Sequence, residues 1–107
     1  MILEVAVLDV IPDHVDRFEA DFKKAQDKIS SMKGYRSHRL SRCVEVPCRY
    51  LLLVEWDTME DHVEGFRKSA VYQEWKALLH HHYDPFPDVE HYEGIAPLSS
   101  SESPASS

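Results

Sequence analysis

Apolar and polar positions change their period along the chain, and the changes divide it into elements. Residues 2–11, ILEVAVLDVI, are β-branched and aliphatic and suit a strand. Pro12 ends the run, and Asp13 stands where a carboxylate can cap a helix. Val15, Phe18, Phe22, Ala25, Ile29 and Met32 then recur in steps of three and four, with charged residues between them. That spacing predicts an amphipathic helix ending at Lys33-Gly34. Residues 35–44, YRSHRLSRCV, read as a more polar second strand, Glu45-Val46-Pro47 as a turn, and residues 49–56, RYLLLVEW, as a third strand. Thr58 with Asp61 resembles a capping box before a short helix through Met59, Val63 and Phe66. Ser69 caps a further helix through Val71, Tyr72, Trp75, Leu78, Leu79 and His82, which Asp84-Pro85-Phe86-Pro87 stops. Residues 88–95, DVEHYEGI, make the fourth strand. The serine-rich stretch 96–107 has almost nothing to bury and reads as a disordered tail behind one domain, 1–95.

The order β-α-β-β-α-β, with right-handed crossovers, gives an α+β fold of the ferredoxin-like kind: a four-stranded antiparallel sheet with both helices on one face. The central strands are apolar on both sides. Ile2, Ala6, Leu8 and Val10 alternate with Leu3, Val5, Val7 and Ile11; Tyr50, Leu52, Val54 and Trp56 alternate with Leu51 and Leu53. Two helices cover one face. The other would be a larger apolar patch than soluble monomers carry, so a homodimer packed sheet to sheet is expected.

Composition narrows the function classes. Twelve Lys and Arg against 19 Asp and Glu give a net charge of −7. Such a chain repels phosphate backbones and anionic lipid, so neither nucleic acid nor a membrane surface is an expected partner. The start, Met1-Ile2-Leu3-Glu4, lacks the basic opening of a signal peptide, and a cytoplasmic location is expected. Cys43 and Cys48 flank the predicted turn and read as reduced thiols in that compartment. Glu55 and Asp57 share a strand face about 7 Å apart and read as solvated or paired with Arg39 or Arg49.

The segment from Tyr50 to His62, YLLLVEWDTMEDH, followed by Phe66-Arg67-Lys68-Ser69-Ala70-Val71-Tyr72, resembles the antibiotic biosynthesis monooxygenase family, and Pro87 to Glu93 is similar to its last strand. The resemblance implies a dimeric α+β barrel with a substrate cavity between the sheet and the helices of each subunit. Members include cofactor-independent oxygenases of polyphenols and quinols, and haem-degrading enzymes. This chain departs from both patterns. The His-x-x-Ser-x-His pattern of quinol-oxygenase-like members meets Phe66 and Val71. The haem-degrading set of Asn, Trp and His finds no asparagine anywhere, and Phe66 and Lys76 at the other two positions. Haem degradation is therefore not expected.

What the resemblance implies is a monooxygenase that uses O2 and no cofactor on a small aromatic or quinol-like substrate. Such an enzyme needs a proton acceptor near neutral pKa, aromatic walls and a dry site. His62, Tyr72 and His91 are the catalytic candidates; Trp56, Trp75, His82 and Tyr92 are the substrate-binding ones. No metal site is expected: His80, His81 and His82 point about 100° apart on a helix, whereas a helical metal pair needs i, i+4 spacing. The alternative is a non-catalytic homodimer of the same fold that binds a small molecule. A cavity lined by convergent polar groups favours the enzyme. A helix–sheet space filled by Phe18, Phe22, Leu78 and Leu79 favours the binding protein.

Overall fold

The computed structural model describes residues 1–95 and Leu98. The expected tail, 96–107, lies otherwise outside the described residues. Four strands, β1 (Ile2–Asp9), β2 (Tyr35–Arg42), β3 (Arg49–Trp56) and β4 (Val89–Tyr92), form one antiparallel sheet in the order β2-β3-β1-β4. The helices α1 (Val15–Ser30) and α2 (Ala70–Leu79) pack on one face. The expected βαββαβ arrangement is therefore the observed one. No helix among the described residues is long and apolar enough to cross a membrane.

Side-chain alternation decides what each face meets. Glu4, Ala6, Leu8 and Val10 from the β1 side are buried, as are Tyr50, Leu52, Val54 and Trp56 from β3. They meet Phe18, Phe22, Ala25 and Ile29 of α1 and Trp75 and Leu79 of α2 in one core. Each large apolar side chain removed from water there contributes about 1.5–3 kcal/mol. On the opposite face Val7 and Leu51, directly opposite one another in the ladder, stay 44% and 36% exposed. β2 offers this outer face only Ser37, Arg39 and Ser41.

Several boundaries differ from expectation. Strand pairing of β1 stops at Asp9, although Val10 bridges Tyr83. Asp13 does not cap α1; Pro12–His14 forms a 3-10 turn that leads into Val15, and no side chain caps the helix. β2 ends at Arg42 and β4 spans only Val89–Tyr92, because each lacks a ladder partner beyond those points. The short helix is a π-helical turn, Asp61–Phe66, with Thr58 Oγ1 accepting from the Asp61 N–H at 3.2 Å. Ser69 does cap α2, its Oγ accepting from the Tyr72 N–H at 3.1 Å. α2 ends at Leu79 rather than at His82, and His80–His82 continue as a 3-10 turn. Asp57 pairs with Arg36 and Glu55 accepts from Ser37, while the register sets Arg49 beside Asp9. Cys43 and Cys48 are free thiols.

Candidate functional site

A cavity of about 420 Å³ opens between the sheet and the α2 side of the molecule. Its floor is Glu4, Ala6 and Leu8 of β1 with Leu52 of β3. His62 and Phe66 enter from the π-helical turn, Arg67 follows them, and Tyr72, Trp75 and Leu79 line it from α2. His80, Tyr83 and Phe86 add a wall from the segment after α2. Phe66 meets Tyr72 and Trp75 edge to face, at 5.2 and 5.7 Å between ring centroids. Aromatic walls with a few converging polar groups are the composition of a small-molecule site.

The polar groups are brought together by register and by the π turn. β1 pairs with β4 so that Glu4 stands opposite His91, on the helix-side face. Trp56, diagonal to Glu4 across β1 and β3, donates Nε1–H to Glu4 Oε1 at 2.9 Å. In the π turn the Arg67 N–H reaches the His62 carbonyl at 3.0 Å, five residues back. That wider turn leaves His62 and Phe66 both buried, and such turns recur at functional sites. His62 stacks on Trp56 at 5.3 Å. Its Nδ1 is 2.8 Å from His91 Nε2, and its Nε2 is 3.3 Å from Glu4 Oε1.

Burial sets the charge states. His62 is pushed down to about 3, chiefly by burial and further by the positive charge of Arg67. His91 is lowered for the same reasons in the same order. Burial raises Glu4, and raises Tyr72 so that it stays a phenol. The Glu4–His62 contact is thus no ion pair at neutral pH, because burial works against charge on both partners. His62 Nδ1 and His91 Nε2 share one hydrogen bond, whose direction follows the tautomer of the pair, and Glu4 lies within 3.3 Å of His62 Nε2.

Of the seven residues singled out in the sequence, His62, Tyr72 and Trp75 line the cavity, and His91 is bonded to His62. Three lie elsewhere. Trp56 is fully buried beneath His62 and serves as a support rather than a wall. His82 is buried on the α1 side, bonded to Asp21 and His14. Tyr92 is 50% exposed and faces outward beside Leu3, because β4 alternates and His91 takes the inner face. The geometry adds Glu4, Arg67 and His80. Glu4 had a legible signal, a lone acid on the otherwise apolar buried face of a central strand. Arg67 and His80 had none, since the turns that aim them are not visible as a period. His80 is pushed down to about 4 by burial and stands edge-on to Tyr72.

A family model described as antibiotic biosynthesis monooxygenase matches residues 1–78. The chain is 54% identical over 95 residues to the uncharacterized protein YczJ of Bacillus subtilis (strain 168), covering 89% of this chain and 100% of that one. Among solved structures, a candidate antibiotic biosynthesis monooxygenase from Bordetella bronchiseptica superposes with a TM-score of 0.84 at 34% identity, covering 88% of this chain and 96% of the other. SnoaB, a cofactor-independent oxygenase from Streptomyces nogalater, superposes with a TM-score of 0.76 at 14% identity, covering 92% and 97%. At that identity the last likeness concerns the fold alone.

Proposed function

The chain belongs to the antibiotic biosynthesis monooxygenase family, and from that premise we propose that it is a cofactor-independent monooxygenase acting on a small aromatic or quinol-like substrate. The observation that carries the reading is the Glu4–His62–His91 chain set beside an aromatic cavity of about 420 Å³. The substrate's ring lies against Phe66, Tyr72 and Trp75. His91, the less buried of the two histidines and held by His62, takes the proton of a phenol or enol, leaving an electron-rich anion that reduces O2 directly. Oxygen adds at carbon, and collapse of the hydroperoxide releases water and leaves a carbonyl. A CH2 group and O2 thus give C=O and H2O. Tyr72, kept protonated by burial, donates a hydrogen bond to the developing oxyanion. Glu4, held by Trp56, stands beside His62 Nε2.

A helix–sheet space filled by Phe18, Phe22, Leu78 and Leu79 would have favoured a passive binding protein. The converging polar groups favour the enzyme. The same reading pairs two chains through the outer sheet face, where Val7 and Leu51 leave apolar area that one chain does not cover.

Oxygen uptake with a panel of quinols and anthrones tests the activity. His91→Ala and Tyr72→Phe are each expected to slow turnover by about 10²–10⁴-fold and about 10-fold or more, respectively. Because burial lowers His91, the acid limb of kcat/KM is expected below pH 6.5. Wild-type rates in both variants would remove the proton-transfer assignment, and no uptake with any substrate would favour the passive reading.

A further inference from the structure

Away from the cavity, where the first half of α1 meets the 3-10 turn after α2, a second group of polar side chains converges. The ligand-capable atoms of Asp21, His81 and His82 lie within 4.8 Å of one another. We propose that these three residues bind a divalent transition-metal ion of the zinc class.

The sequence argument against such a site assumed a regular helix, in which consecutive histidines diverge. The chain leaves α2 at Leu79, and the tighter turn brings the rings of His81 and His82 to 3.9 Å between centroids. His82 is buried to 1% exposure and held on both sides. Its Nε2 is 2.7 Å from Asp21 Oδ2, and its Nδ1 is 3.1 Å from His14 Nδ1. At that distance His14 Nδ1 can accept from His82 Nδ1–H. A bound ion would take the place of the proton between His82 Nε2 and Asp21. A metal-bound histidine commonly spends its second nitrogen in this way, on an outer group that fixes its tautomer.

Two imidazoles and one carboxylate suit zinc, cobalt or nickel better than calcium or magnesium, which prefer oxygen. Three protein ligands leave a coordination position for water. Tetrahedral binding needs ligand atoms about 3.3 Å apart at the usual metal–ligand lengths. His81 is exposed and can turn inward without disturbing the core. Lys24 Nζ, 3.9 Å from the other Asp21 oxygen and 72% exposed, can swing away.

Titration calorimetry of the full chain with ZnCl2 tests the site, on protein carrying no polyhistidine tag. One equivalent is expected to bind, with Co2+ giving d–d absorption at the same stoichiometry. Both His81→Ala and Asp21→Asn are expected to weaken Zn2+ at least 10-fold. His81 is exposed, and Asn keeps the hydrogen bond to His82, so neither change should unfold the chain; circular dichroism checks this. His91→Ala, which alters only the cavity cluster, is expected to leave the affinity unchanged. No saturable binding, wild-type affinity in either site variant, or loss on His91→Ala would overturn the proposal. The outcome is independent of whether oxygen uptake is seen.

Discussion

His62 links the chemistry to stability. Its buried imidazole titrates near 3 in the folded chain and near 6.5 in the unfolded one. Between those values only the unfolded state takes up the proton, so the contribution is complete above pH 6.5 and is lost as the pH falls. Between pH 7 and pH 5 the loss is about 2 kcal/mol. Glu4 acts in the opposite sense: its raised pKa stabilises the fold below 4.5 and is lost as the pH rises through the folded value. His62→Phe keeps a ring on Trp56 and removes the titration. Urea unfolding at the two pH values should therefore show a smaller acid loss in this variant than in the wild type. Glu4 carries a second consequence. Glu4→Ala leaves the buried Trp56 N–H without an acceptor and is expected to cost about 1–3 kcal/mol. Glu4→Gln retains an oxygen there and should unfold close to the wild-type midpoint. Equal losses in the two would show that the Trp56 bond is not what Glu4 supports.

The site depends on where the short elements stop. Gly34 ends the passage out of α1 at φ +83°, in the left-handed region that L side chains rarely adopt. A Cβ there would also lie 2.0 Å from the Asp61 carboxylate, at the start of the π turn. Gly34→Ala therefore combines backbone strain with displacement of the turn that carries His62 and Phe66. A destabilisation of about 2–3 kcal/mol is expected, read by thermal unfolding. A near-wild-type midpoint would mean that the turn tolerates being moved. The ends of α2 differ in legibility for a physical reason. Ser69 caps the helix through a hydrogen bond to a neighbour in sequence, so its residue type announces it. The end at Leu79 has no such local mark: the chain after it is tied to β1, with the Ile11 N–H donating to the His82 carbonyl and the Asp84 N–H to that of Asp9.

Two chains joined through their sheets would cover the apolar strip that each leaves open. In sedimentation at micromolar concentration the wild type is expected at twice the mass of one chain. Val7→Asp places a charge in the centre of that strip and is expected to give single chains with unchanged far-UV circular dichroism. A wild type that sediments as a folded single chain would sink the dimer.

Periodicity alone determined the order of elements, the amphipathic stripe of α1 and the two apolar faces of the central strands, because these follow from geometry repeated every two or 3.6 residues. It set Tyr72 and Trp75 on one side of a helix, whereas His62 and His91 were singled out for their chemistry and not for the way they face. Only the tertiary structure decided that Glu4 and His91 are ladder partners, that Tyr92 turns outward, and that His82 belongs with Asp21 rather than with the cavity. Those pairings join residues distant in sequence, and a strand register off by one would reverse each face. Such contacts are settled by how the elements dock, where no local spacing records them.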